Sequence, residues 1–144
     1  MEINYDIKWY TSLPNEAKTI RQEVFVEEQG FTEEFDTIDQ KSYHLVIYTK
    51  QGEPVATARI FIEPDGYHIS RVAVRKEMRQ HHIGRYLMDT AEQKIKSLKG
   101  SLAILSAQCQ AQGFYETLGY KTKGDTYLDE NCLHIQMVKS LVEE

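Results

Sequence analysis

Alternation opens the chain. Ile3, Tyr5, Ile7 and Trp9 alternate with polar residues, the period-two pattern of a strand with one buried face, so Ile3 to Tyr10 is expected to be extended. Pro14-Asn15 then marks a helix start. Ala17, Ile20 and Val24 share one helical face, widened by Phe25 and Val26. A helix is therefore expected from Glu16 to about Gln29, with Gly30 ending it. Phe31 to Lys41 has no clean period and reads as loop or short helix. Tyr43–Tyr48 and Val55–Ile62 are strand runs about the turn Gln51-Gly52-Glu53-Pro54. Asp65-Gly66 signals a second hairpin. Tyr67–Val74, apolar at both odd and even positions, follows it as a third, central antiparallel strand.

Helical spacing returns at Ile83, Leu87, Ala91, Ile95 and Leu98. Lys94, Lys96 and Lys99 sit at the C-terminal end, where cations complement the helix dipole, and Gly100 is the expected cap. Leu102–Leu105 is a short apolar strand, and Gln108–Leu118 a helix ended by Gly119. Tyr120–Tyr127 and Cys132–Val138 close the chain as two strands about Asp129-Glu130-Asn131. The order is β-α-βββ-α-β-α-ββ. A strand-helix-strand crossover puts one parallel pair into an otherwise antiparallel sheet. The expected fold class is mixed α/β (α+β), with helices on both sheet faces. No repeat and no Pro/Gly-rich linker interrupts the 144 residues, so 1–144 reads as one domain.

Charge narrows the function. Seventeen basic against 22 acidic residues give a net charge of −5, which argues against nucleic acid as a partner. Cys109 and Cys132 form no disulfide framework and show no metal spacing. His81-His82 makes a poor metal site, because adjacent side chains diverge and no third ligand stands near in sequence. No metal is expected. The first ten residues lack a basic-then-apolar signal, and no apolar run is long enough for a membrane span. The expectation is a cytoplasmic protein with no membrane partner.

Against that acidic background, Ser70 to Met88 reverses the local charge. A strand runs into Arg75-Lys76-Glu77-Met78-Arg79-Gln80-His81-His82-Ile83-Gly84, and a helix follows at once. The first N–H groups of a helix lack partners within it, and the dipole adds positive potential there. Gly84 would let the backbone approach a ligand closely. A phosphate cradle and a solvated basic turn are both consistent with this segment.

The segment Arg79-Gln80-His81-His82-Ile83-Gly84-Arg85-Tyr86-Leu87-Met88 resembles motif A of the GNAT (GCN5-related) N-acetyltransferases, written Gln/Arg-x-x-Gly-x-Gly/Ala. Gln80 and His82 stand where glycines are usual. A second element, Gln108-x-x-Ala111-x-x-Phe114-Tyr115-x-x-Leu118-Gly119-Tyr120, resembles the family's N-x-x-A-x-x-F-Y-x-x-x-G-F segment, with Gln108 in the place of Asn. Upstream, Ile20-Arg21-x-x-Val24-Phe25-Val26-x-Glu28-Gln29, then Glu34-x-Asp36-x-x-Asp39 and His44, resemble the ElaA/YjcF-like branch.

The resemblance implies the GNAT fold and acetyl-CoA as cosubstrate, lying in a wedge between splayed parallel strands at Tyr67–Val74 and Leu102–Ser106. It implies an amine of a small molecule or peptide as acceptor, which attacks the thioester directly in a ternary complex. Val72 and Val74 would pair with the pantetheine arm. Backbone N–H groups of Arg79, Gln80, His81, His82, Ile83 and Gly84, with Arg85, would hold the pyrophosphate, and Gln108 would order the wedge. Tyr115 would be the general acid, although an aromatic on such a helix can also be core. For the base, His68 is placed by period two on one face with Ser70, Val72 and Val74. Glu28, Asp39, His44 and a water relay compete with it. The acidic run Glu27, Glu28, Glu33, Glu34, Asp36 and Asp39 would border the acceptor site or be a solvated face. Dimers are common among such enzymes, so a homodimer is compatible. A CoA-binding sensor that keeps the fold without turnover is the alternative, and no GxxxxGK[ST] supports a nucleotide-phosphate enzyme.

Overall fold

A computed structural model describes residues 5–31, 36–79, 81–129 and 131–142. The strands are β1 (Tyr5–Tyr10), β2 (Tyr43–Thr49), β3 (Pro54–Glu63), β4 (Gly66–Val74), β5 (Leu102–Gln108), β6 (Lys121–Asp129) and β7 (Cys132–Ser140). The α-helices are α1 (Asn15–Arg21), α2 (Ile83–Ser97) and α3 (Gln112–Thr117). All seven strands form one sheet in the order β1-β2-β3-β4-β5-β7-β6. Among the described strands only β4 and β5 run parallel, so the expected mixed α/β (α+β) class and the element order hold. The expected Ile3 and Glu130 lie outside the described residues.

Each face of the sheet has its own core. On one, Ile83, Leu87, Met88, Ala91 and Ile95 of α2 pack with Leu45, Ile60, Ile69 and Leu105 from the strands. These α2 residues recur at three- and four-residue spacing, which is why one stripe is buried. On the other face, Ala17 and Ile20 of α1 and the following Val24 and Phe25 pack on Val46, Tyr48 and Ala73. Among the described residues no helix is long and apolar enough to cross a membrane.

Three local departures from the expected pattern matter. The helix expected through Gln29 is α-helical only to Arg21, and Gln22–Glu28 continues as a π-helix. Adjacent Val24 and Phe25 of this segment both lie in the core. Beyond α2, the left-handed residue is Lys99 (φ 68°) rather than Gly100. Gly100 donates its N–H to the Ile95 carbonyl at 2.9 Å, the closing bond of a Schellman cap. A Cβ there would stand 2.6 Å from the Tyr67 ring, so glycine is required for close approach. Finally, Ile7 is 37% exposed, because β1 is an edge strand and its core contacts come from Tyr5 and Trp9.

Candidate functional site

The parallel pairing of β4 with β5 is brief. Tyr67 faces Ala103 and His68 faces Ile104, and the ladder ends there. From Ile69 onward the two strands separate, leaving facing backbone edges without each other as partners. A β-bulge in β4 accompanies the separation. Thr57 of β3 faces Ala73, but Arg59 faces Ser70, so β4 carries one extra residue in this interval. Arg71 within it is left-handed, with φ 51°.

The bulge exchanges the two faces of β4. Ile69 belongs to the core under α2, whereas Ala73 belongs to the core under α1. Without the bulge these two would share a face. Val72 and Val74 now pack toward the α2 side, so the expected common face with His68 and Ser70 is broken. The His68 ring instead stacks on Phe61 at 5.2 Å, and its Nε2 is 2.7 Å from Asp65 Oδ1.

The register also shows where the β4 backbone points. Arg75 N–H donates to the Val55 carbonyl at 2.9 Å, which makes the adjoining Ala56–Val74 pair the non-hydrogen-bonded kind. The N–H and C=O of Val74 therefore turn away from β3, toward the gap. Val72, two residues back and next to the bulge, packs its side chain on the same core as Val74.

The gap opens into a cavity of about 550 Å³. Val72 of β4, Leu105, Ser106 and Gln108 of β5, and Tyr115 of α3 line it. The segment after α1 contributes Phe25 and Gln29, and the end of the chain contributes Asp129 and His134. Gln108 donates from Nε2 to Gln29 Oε1 at 2.9 Å, tying β5 to the end of the π-helix. Tyr115 is only 9% exposed, between the rings of Phe114 and Tyr120. Among the described residues nothing hydrogen-bonds its hydroxyl. Burial pushes this phenol up to about 12, so it is protonated at neutral pH.

Arg59, Ser70, Arg71 and Asp36 form another stretch of the wall. They belong to an ion network that sequence reasoning missed. Arg59, 2% exposed, donates to Asp36 and Asp39 from Nη1 at 2.6 and 2.9 Å and to Ser70 from Nε at 2.7 Å. Buried Arg21 forms two bonds to Asp39, at 2.9 and 3.0 Å, and Arg71 reaches Asp36 at 3.2 Å. Burial raises the carboxyls of Asp36 and Asp39. The arginine hydrogen bonds and charges outweigh it and hold both below their ordinary value. The expected acidic border is thus a neutralised lattice at Asp36 and Asp39. Glu33 and Glu34 lie outside the described residues. His44 is also absorbed into this lattice, with Nε2 at 2.9 Å from the Asp39 carbonyl.

At the N-terminus of α2, His82 adopts φ 60°, the left-handed conformation that explains why a glycine is usual there. His81 gives its N–H to the Met78 carbonyl at 3.3 Å and Tyr86 to the His82 carbonyl at 3.2 Å, so Ile83, Gly84 and Arg85 carry the N–H groups that the start of α2 leaves open. Gln80 lies outside the described residues. His81, His82, Ile83 and Arg85 line a second cavity of about 410 Å³, closed from α3 by Thr117 and Leu118. Gly84 has a packing reason beside the expected one: a Cβ on it would meet Phe114 at 3.2 Å. The Arg79 side chain faces neither cavity lining. It donates to Glu28 at 2.5 and 2.7 Å and to the Val74 carbonyl at 3.0 Å. That bond and charge hold the Glu28 carboxyl below its ordinary value. Among the described residues no cluster of three metal-ligating groups occurs.

The same overall fold occurs in known proteins. The acetyltransferase (GNAT) domain model matches residues 11–141. The chain belongs to the GNAT family. YjcF of Bacillus subtilis, named as an uncharacterized N-acetyltransferase, is 35% identical over 128 residues, covering 86% of this chain and 90% of that protein. The crystal structure of Escherichia coli ElaA superposes with a TM-score of 0.81 at 26% identity, covering 93% of this chain and 99% of ElaA. An acyl-CoA N-acyltransferase from Pseudomonas aeruginosa gives a TM-score of 0.81 at 26% identity, covering 95% and 99%. The ElaA/YjcF-like branch and acyl transfer as the general chemistry follow for this GNAT chain.

Proposed function

We propose that this GNAT chain transfers the acetyl group of acetyl-CoA to an amine of a small molecule or peptide, by direct attack in a ternary complex. The observation that carries the reading is the β4 edge. The Val74 N–H turns away from β3, and Val72 lines the same cavity as a buried Tyr115 hydroxyl that no described residue hydrogen-bonds. An amide-bearing pantetheine arm fits such an edge as an added strand. A thioester beside Tyr115 fits the orphaned donor.

In this proposal Val72 and Val74 pair with the pantetheine, and one of their N–H groups polarises the thioester carbonyl. The N–H groups at the start of α2, at His82, Ile83 and Gly84, hold the pyrophosphate with the Arg85 side chain. Arg79 borders this site without donating to it, since its guanidinium is committed to Glu28 and its N–H to the Lys76 carbonyl at 3.4 Å. Gln108 keeps the wedge open at Gln29. Tyr115, protonated at neutral pH, gives its proton to the departing thiolate. His68 has no part in this proposal, because its ring is held on Phe61 and Asp65 outside the cavity lining.

Thiol release from acetyl-CoA in the presence of an amine panel (polyamines, aminoglycosides, lysyl peptides and amino acids) tests the reading. Steady release with at least one amine is expected. Tight CoA binding without release on the whole panel favours a sensor instead.

A further inference from the structure

Strand order brings β7 between β5 and β6, and so carries a histidine into the cleft that the motifs do not contain. His134 faces Gln108, the last residue of β5, across the β5–β7 ladder. It is 8% exposed and lines the same cavity as Tyr115 and Val72. Its Nδ1 lies 2.9 Å from the Cys132 carbonyl oxygen. A carbonyl oxygen can only accept, so Nδ1 carries the hydrogen, and in the neutral ring the lone pair sits on Nε2. The ring is further held by stacking on Tyr127 of β6, at 6.0 Å and 23°. Tyr127 in turn is hydrogen-bonded through its hydroxyl to Ser106 of β5. A backbone carbonyl sets the tautomer and an aromatic partner sets the plane. This is how a positioned base is built.

The other candidate bases are engaged elsewhere. Asp36 and Asp39 are held by arginines, Glu28 by Arg79, and His68 by Asp65. His44 is 1% exposed and uses its Nε2 on the Asp39 carbonyl, so it is not in the cavity lining. The titratable and charged groups that share the cleft wall with His134 are Asp129 of β6, Arg59 of β3, Arg71 of β4, Asp36 and Tyr115. Asp129 supplies a negative charge that draws an ammonium toward the ring.

We propose that His134 is the general base of the acetyl transfer, accepting through Nε2 a proton from the acceptor ammonium. The inference rests on the acetyl-transfer reading above. The N–H bond of the ammonium breaks, and its proton moves to Nε2. The freed amine lone pair forms a bond to the thioester carbon, and the C–S bond breaks as sulfur takes the Tyr115 proton. A second amine proton then restores Tyr115. The imidazolium releases its proton to solvent, so one acetylated amine, one thiol and one proton leave.

Two measurements on the full chain test this. Nitrogen-15 NMR of the wild-type imidazoles, without ligand and above the titration of histidine, is expected to show His134 with hydrogen on Nδ1. Hydrogen on Nε2 overturns the proposal. The second compares wild type with His134→Gln in acetyl-CoA affinity and in thiol release with an amine that the wild type accepts. Affinity is expected to be unchanged, turnover to fall about 10²-fold or more, and the acidic limb of the pH–rate profile to disappear. Equal turnover in His134→Gln overturns the base while leaving acetyl transfer intact. Absence of release from the wild type on every amine overturns both.

Discussion

Arg59 Nη1 lies 2.9 Å from Asp39 Oδ1, with 2% and 8% of the two side chains exposed. This pair joins β3 to the turn at residues 37–41, and Arg21 adds α1 to the same carboxylate. Removing one partner of a buried ion pair strands the others. Asp39→Ala is therefore expected to destabilise the fold by about 3–5 kcal/mol, read from urea unfolding. A loss below about 1 kcal/mol would show that the network adds little.

The same region predicts acid sensitivity. Burial lowers the pKa of His44 below its ordinary 6.5. The unfolded chain then binds the proton more readily, so this contribution is full above about pH 6.5 and falls as pH drops. Asp36 and Asp39, whose folded values are also depressed, contribute fully above about pH 4 and lose that contribution below it. The urea midpoint is expected to decline in two stages as pH falls. A midpoint that stays flat down to about pH 4 would contradict the His44 assignment.

His82 stands at φ 60° where glycine carries no steric penalty. Left-handed backbone costs an L-residue about 1–2 kcal/mol, and glycine's added chain entropy offsets about 0.5–1 of it. His82→Gly is expected to raise stability by about 0.5–1 kcal/mol, measured by thermal unfolding, without weakening acetyl-CoA binding. A lower midpoint would mean that the imidazole makes a contribution of its own.

Tyr115→Phe removes the unpartnered hydroxyl and keeps the ring between Phe114 and Tyr120. Turnover with an accepted amine is expected to fall about 10²-fold or more while acetyl-CoA affinity holds. Unchanged turnover would leave the ring as packing alone.

Much of the scaffold was legible in the sequence because its signals are local. The Asp65-Gly66 turn gave the β3–β4 hairpin, and the 3.6-residue spacing from Ile83 gave α2. The glycine-to-histidine change at His82 was legible as a departure, and its left-handed backbone now gives the reason. The bulge at Arg71 was not legible, since arginine is no turn residue and the apolar run passes through it unbroken. That one extra residue is what moved His68 off the face of Val72. The π-helix left no trace either, because a widened turn buries much the same stripe as an α-helix. His134 was hidden for a topological reason. It reaches the cleft only because β7 inserts between β5 and β6, a pairing that no local pattern encodes. The Arg21–Asp39–Arg59 network was hidden likewise, its members being brought together from separate elements across the sheet.

In the proposed function the open β4 edge and the α2 N-terminus receive CoA. Amide NMR of the full chain titrated with CoA tests it most directly. Saturable shifts are expected at Val72 and Val74, at Ile83 and Gly84, and at Tyr115. Absence of binding at millimolar CoA, or shifts confined to residues outside this cleft and helix start, would contradict it.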